Sequence, residues 1–239
     1  MIKKIKAIIN EIRDNQRQLI YGQNQLWASQ KLDKLLPSEN FLPQTTWSIS
    51  PSAVLHALNI LELKKRKSII EFGSGITTIY IAQYLKLRNE NSVFLSVESD
   101  LDWKIAIEKD LEKFGLSQYV KIVHCPIVEV ANELAYKNQS HWYNTEVLKS
   151  AIDGLLFDFV LVDGPYGGAT PYARYSAYPF LEPYTKKDIV WMLDDSRRLH
   201  ESEIIRKWKD LSGLKLSGFS RYSILENFES YDMTPYQMN

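Results

Sequence analysis

Between residues 68 and 193, five short apolar runs alternate with amphipathic stretches, and that alternation leaves few folds open. The runs are Ser68–Phe72, Val93–Val97, Val120–Val123, Phe157–Val162 and Asp188–Leu193. Each is short and rich in β-branched or aromatic residues, which marks strands rather than helices. The intervening segments carry helical spacing. Ile76, Ile79, Tyr80 and Ala82 share one face, and Asp100 can cap a helix that ends at Phe114–Gly115. A helix is expected around 172–183, and another from Ser196 to Lys209 with Leu199, Ile204, Ile205 and Trp208 on its apolar face. Ser50–Pro51 opens a helix before the first strand, with Pro at an early helical position. Leu214–Phe219 and Tyr222–Phe228 read as a hairpin turned near Ser220–Arg221. Short apolar strands alternating with helices give an α/β fold with a parallel sheet covered on both faces.

Residues 1–48 read as a helical extension interrupted by Pro37 and Pro43, and 49–239 as the α/β domain. Ile2, Ile5, Ile8, Ile9 and Ile12 recur at helical spacing, which suits packing on a partner surface. That surface is either a second copy of the chain, making a homodimer, or a cleft that the segment covers. Lys3, Lys4 and Lys6 are soon balanced by Glu11 and Asp14, which argues against a membrane-surface helix. No apolar stretch reaches the roughly 18 residues of a membrane span. Lys plus Arg and Asp plus Glu are both 29, so the chain as a whole has no pull on nucleic acid. The single Cys125 excludes an intramolecular disulfide and a multi-cysteine zinc site, and fits a reducing cytoplasm.

In parallel sheets ligands bind beyond the carboxyl ends of the strands. Acidic groups stand at four of the five ends: Glu71, Glu98, Asp163, and Asp194 with Asp195. Like charges gathered in one crevice repel, so a purely structural protein gains little from them. Glu71-Phe-Gly73-Ser74-Gly75-Ile-Thr77-Thr78 occupies the first strand–turn–helix junction. Its glycines let a ligand approach the backbone. A dinucleotide site wants a third glycine where Thr78 stands, and Glu71 would repel a phosphate. A ligand with a cationic or zwitterionic part and no phosphate fits better.

With Glu98 and Val162-Asp163-Gly164-Pro165, this motif resembles the class I S-adenosylmethionine-dependent methyltransferases over roughly residues 45–228. Trp47-Ser-Ile-Ser-Pro51 adds a similarity to a small, poorly characterised group among them. The resemblance implies a Rossmann-like three-layer sandwich with a mostly parallel seven-stranded sheet and a C-terminal antiparallel hairpin. It also implies that Gly73 and Gly75 line the amino acid end of S-adenosyl-L-methionine, with Glu71 near its ammonium, and that Ser74, Thr77 and Ser99 belong to the same cofactor site. Glu98 would accept from both ribose hydroxyls, and Pro126 and Ile127 would flank the adenine. Asp163 would face the sulfonium and the acceptor. Left without a ligand, Glu98 would be a solvated loop carboxylate and Glu71 a helix-N-terminal charge.

Neighbouring strand ends lie about 5 Å apart, so Asp163, Asp194 and Asp195 can hold a hard divalent cation such as Mg²⁺. They resemble the metal site of catechol-type O-methyltransferases, with Asp195 where those have Asn. On that reading Asp163 and Asp195 are the catalytic residues. The alternative is that Asp195 caps the next helix while Asp194 pairs with Arg197 or Arg198. Trp142, Tyr143, Tyr166, Tyr172, Tyr175, Tyr178 and Tyr184 suit a phenol, a sugar or another planar polar acceptor, or simply pack beneath a Gly164–Gly168 lid. Arg174 can meet an acceptor anion or a strand-end acid. His124 is a general base or, more simply, a hydrogen-bonded structural histidine, and Cys125 a small buried residue. The expected reaction is methyl transfer to an oxygen of a small molecule or glycan precursor. Rivals are another transferase on the same scaffold and a non-catalytic cofactor-binding or partner subunit.

Overall fold

The computed structural model describes residues 2–37, 40–227 and 232–237. The elements run α1 (Ile2–Leu32), α2 (Pro51–Leu63), β1 (Ser68–Phe72), α3 (Ile76–Arg88), β2 (Val93–Glu98), α4 (Leu101–Lys113), β3 (Lys121–His124), β4 (Ile127–Glu129), β5 (His141–Tyr143), α5 (Thr145–Ile152), β6 (Phe157–Val162), α6 (Ala177–Leu181), β7 (Thr185–Leu193), α7 (Leu199–Ser212), β8 (Lys215–Gly218) and β9 (Ser223–Glu226). Seven strands form one sheet in the order β3-β2-β1-β6-β7-β9-β8. Only β9 runs against its neighbours, inserted between β7 and β8. This is the doubly wound sheet with a C-terminal antiparallel hairpin that the sequence predicts.

Side chains of the central strands alternate between two cores. Ile69, Phe159, Leu161, Val190 and Met192 face the layer built by α2, α3 and α4. Ile70, Phe72, Val160, Val162, Trp191 and Leu193 face α5, α6 and α7. Trp142, Trp191 and Trp208 are fully buried in this second core. Each fully buried large apolar side chain contributes on the order of 1.5–3 kcal/mol. The one acid within β6, Asp158, sits at the amino-terminal edge of the sheet. There it accepts from the backbone N–H of Lys67 and Ser68 and pairs with Lys186. It is structural and lies at the opposite end from the candidate site.

Several expectations change in detail. The helix expected around 172–183 is reduced to Ala177–Leu181, preceded by turns in which Tyr172 takes a positive φ of 56°. β9 is shorter than the expected strand, whose end at Phe228 lies outside the described residues. A two-stranded antiparallel ribbon, β4–β5, follows β3 and is not legible in the sequence. The N-terminal extension is one helix of 31 residues that ends before Pro37. Its C-terminal half buries Ala28 and Leu32, and Gln25 bonds the backbone N–H and the hydroxyl of Ser52 at the start of α2. Ile5, Ile8, Ile9 and Ile12 are exposed. The side chain of Ile2 lies outside the described residues. Among the described residues no helix is long and apolar enough to cross a membrane.

Candidate active site

The carboxyl ends of β1, β2, β6 and β7 open into two adjoining clefts of about 450 and 520 Å³. Both are lined by Trp47, Gly73, Ser74, Trp103 and Asp163. The smaller also takes in Gly75 and Thr77, and the larger Glu98, Ser99 and Asp195. Expected site residues from four separate stretches of chain, Gly73–Thr77, Glu98–Ser99, Asp163 and Asp195, therefore line one place.

Gly73 is the geometric centre of the turn. Its φ is +92°, and a Cβ there would meet Gly164 N at 2.8 Å. The turns after β1 and β6 touch backbone to backbone, held by the Asp163 and Gly164 N–H groups donating to Phe72 O. Gly75 has no atom within 4 Å of an added Cβ, so its missing side chain leaves open cleft.

Glu71 lies behind the turn and is fully buried. Its Oε2 accepts from Thr78 Oγ1 at 2.5 Å and Ser96 Oγ at 2.7 Å. Its Oε1 has no partner in the protein. Burial, the largest influence, pushes its carboxyl up to about 8. It is thus neither at the cleft surface nor a simple helix-terminal charge. Glu98 is also raised, again chiefly by burial, against the backbone hydrogen bonds that lower it. Ser74 N reaches its Oε2 at 3.0 Å, and Ser99 N and Asp100 N reach its Oε1 at 2.6 and 2.8 Å. Three donors hold the carboxylate rigidly and leave lone-pair capacity facing the cleft. A solvated loop carboxylate would not be fixed in this way.

Pro126 and Ile127 stand apart from this group. Pro126 is exposed, Ile127 opens β4 against the second core, and neither lines the two clefts. The indole that does stand beside Glu98 is Trp103, in the first turns of α4, whose Nε1 donates to Ser74 O at 2.8 Å. Sequence reasoning missed it, although its place just beyond the end of β2 was a usable signal. His124 bonds Ser99 O through Nε2, and Cys125 is buried with its thiol on Asn144 O. Both are structural.

Oxygens of Asp163, Asp194 and Asp195 lie within 4.8 Å of one another. Three guanidinium groups stand against them. Arg174 donates to Asp163 Oδ1 and to Asp194 O, both at 3.0 Å. Arg198 pairs with Asp195 Oδ2 at 2.8 Å. Arg221 pairs with Asp195 Oδ1 at 2.8 Å and approaches Asp194 Oδ2 at 3.5 Å. The pairing of acids with arginines is real, but its expected form is corrected. Asp194 meets Arg221 rather than Arg197 or Arg198, and Asp195, at φ +54°, precedes α7 without capping it. Arg197 bonds Phe219 O instead. Burial raises Asp163 to about 6 and Asp194 to about 7, with neighbouring carboxylates adding to the rise and the arginines opposing it. Asp194 Oδ1 is buried and has no hydrogen-bond partner. Hard oxygens from three carboxylates, one of them unsatisfied, are a donor set that fits a divalent cation.

This mostly parallel seven-stranded sheet with flanking helices and an antiparallel C-terminal hairpin is a Rossmann-like methyltransferase fold. No protein-family model and no curated protein matches the chain. Among solved structures it is similar to an O-methyltransferase from Bacillus cereus in complex with SAH. That match has a TM-score of 0.55 and 13% identity over 86% of this chain and 91% of that one. It is also similar to the O-methyltransferase TomG from Streptomyces achromogenes, involved in tomaymycin synthesis and in complex with SAM, at a TM-score of 0.52 and 13% identity over 80% and 94%. The likeness is one of fold.

Proposed function

We propose that the protein is an S-adenosylmethionine-dependent methyltransferase that methylates an oxygen of a small-molecule acceptor, a glycan precursor included. The observation that carries this reading is the rigid Glu98 carboxylate, hydrogen-bonded to a glycine turn that leaves open cleft at Gly75. S-adenosylmethionine, when bound, supplies an electrophilic methyl group. The acceptor oxygen takes it in line as the sulfur–carbon bond breaks and a neutral thioether leaves.

The chain's own residues then have distinct parts. Glu98 and the Ser99 turn hold the ribose, Gly73, Ser74, Gly75 and Thr77 the amino acid end, and Trp103 covers the face of the site. Glu71, buried behind the turn, accepts from the Thr78 and Ser96 hydroxyls and so supports the glycine turn from beneath. Asp163, raised to about 6, is basic enough to take the acceptor's proton and faces both clefts. Asp195, gripped by Arg198 and Arg221, orients the acceptor side. Calorimetric titration with S-adenosylhomocysteine tests the assignment. Micromolar-class binding to wild type, weakened at least about tenfold in Glu98→Ala, is expected. No binding to wild type would remove the methyltransferase reading and promote a partner-subunit role.

Asp163, Asp194 and Asp195 would hold Mg²⁺, which lowers the pKa of a bound hydroxyl. Arg221 already supplies positive charge to two of these carboxylates, so it competes with the ion. Titrating magnesium chloride alone should therefore give weak binding to wild type and roughly tenfold tighter binding to Arg221→Ala. Equal affinity in the two proteins would separate Arg221 from any cation site. The exposed isoleucines of α1 fit a second copy of the chain, and a monomeric mass in solution would exclude that homodimer.

A further inference from the structure

A further cavity of about 320 Å³ lies outside the two clefts and shares no lining residue with them. That volume suits a small molecule. The turn between β8 and β9 is the partition. Arg221 lines the larger cleft, while Phe219, Ser220 and Tyr222 around it line the cavity. The chain before α7 divides in the same way, with Arg198 in the cleft and Arg197 in the cavity. Helix α1 supplies another wall. Arg17, Ile20, Tyr21, Asn24 and Gln25 recur at helical spacing and share one face. Gln25 ties that face to Ser52, and the Tyr21 hydroxyl bonds the Arg221 side chain. Pro235 and Tyr236 close the side, with the Tyr236 ring 5.3 Å from that of Trp27.

The cavity is positively charged. Among the described residues no acidic side chain lines it, whereas two guanidiniums do, in a chain whose net charge is zero. They come from separate elements, and both are reachable. The Arg17 side chain is 72% exposed and meets Asp14 at 3.6 Å, in an exposed pair worth little. Arg197 spends its Nε on Phe219 O, and its two terminal nitrogens have no partner among the described residues. This sets the pair apart from Arg174, Arg198 and Arg221, each held by carboxylates. The Ser220 hydroxyl adds a further donor. Two guanidinium forks from different elements suit a group with several charged oxygens. A phosphate monoester carries about two negative charges on three oxygens, whereas a carboxylate fills a single fork. Phe219, Tyr222 and Tyr236 offer apolar surface to the rest of such a ligand.

We propose that this cavity is a second binding site, which takes a small phosphate monoester with its phosphate between Arg17 and Arg197. The site is independent of the methyltransferase reading, because the residues that form it lie outside both clefts.

Three probes test it on the full chain by calorimetry and phosphorus NMR: phenyl phosphate, inorganic phosphate, and benzoate, which keeps the ring but carries a carboxylate. Phenyl phosphate should bind most tightly, ahead of benzoate by roughly tenfold. Arg17→Met and Arg197→Met should each weaken it at least about fivefold, with part of the loss restored in Arg197→Lys. Arg198→Met should leave it unchanged, and saturating S-adenosylhomocysteine should not displace it. Arg17→Met removes only an exposed pair, so misfolding does not account for its effect. No binding of phenyl phosphate to wild type, or equal affinity for wild type and Arg17→Met, overturns the site. Loss in Arg198→Met, or displacement by S-adenosylhomocysteine, puts the anion in the cleft and overturns it as well. Benzoate binding as tightly as phenyl phosphate overturns the phosphate assignment, and inorganic phosphate doing so overturns the monoester. A protein that binds phenyl phosphate but not S-adenosylhomocysteine would lose the methyltransferase reading and keep this site.

Discussion

Gly73→Ala should destabilise the protein by at least about 3 kcal/mol and abolish S-adenosylhomocysteine binding, whereas Gly75→Ala should remain as stable as wild type. Two independent terms act at Gly73. The residue sits at φ +92°, which costs an L-residue roughly 1–2 kcal/mol. Its new Cβ would also press on Gly164 N at 2.8 Å, Gly164 Cα at 3.1 Å and Asp163 C at 3.2 Å, all backbone. Backbone cannot swing aside as a flexible side chain does, so the turns after β1 and β6 would separate and Asp163 would move with them. Gly75 is extended, at φ −175°, and has room for a methyl group. That methyl would project into the space reserved for the donor, so Gly75→Ala should fold normally and bind S-adenosylhomocysteine more weakly. Thermal unfolding and calorimetry on the two variants separate the scaffold role from the binding role. Equal stability of both would contradict the account of the turn.

Arg174→Ala should cost about 3–5 kcal/mol near pH 8, because removing one partner leaves buried charge uncompensated. The guanidinium is almost wholly buried and holds both the Asp163 carboxylate and the Asp194 carbonyl. The cost should depend on pH. Both carboxyls have native pKa values raised above the ordinary 3.8, Asp163 to about 6 and Asp194 to about 7. A carboxyl raised in the native state burdens stability only as pH climbs above its unfolded value and through its native one. Arg174 opposes that rise at both groups. Its loss should therefore matter little near pH 4 and increasingly from about pH 5 to 8. Denaturant unfolding of wild type and variant across this range checks the slope. A penalty independent of pH would mean that Arg174 acts through packing alone.

The sheet was legible because its central strands are buried on both faces, and short continuous apolar runs survive any choice of helix packing. The acids at the strand ends were legible for the same reason: once the strands are placed, topology carries Glu71, Glu98, Asp163, Asp194 and Asp195 to one edge. What surrounds them was not. Arg221 lies in the β8–β9 turn and reaches Asp195 across the end of the sheet, a contact that no local pattern encodes. The β4–β5 ribbon has three residues in each strand, too few for a period to register. Pro126 and Ile127, the residues expected to flank the adenine, lie just before and at the start of that ribbon and do not line the two clefts. Residues 171–176 carry apolar spacing compatible with a helix, but they are held by turns that let Arg174 and Tyr175 point inward. The helix of residues 2–32 was foreseen, and so was the apolar face of its N-terminal half, which the described structure leaves exposed.

The proposed seat of S-adenosylmethionine is the cleft over Gly73 and Glu98. Its most direct test is a crystal structure of the protein grown with S-adenosylhomocysteine. The ribose hydroxyls should lie on Glu98, the amino acid end over Gly73–Gly75, the indole of Trp103 against the ligand and the sulfur facing Asp163. A ligand bound elsewhere, or a clear map of this cleft with no ligand at saturating concentration, would contradict it.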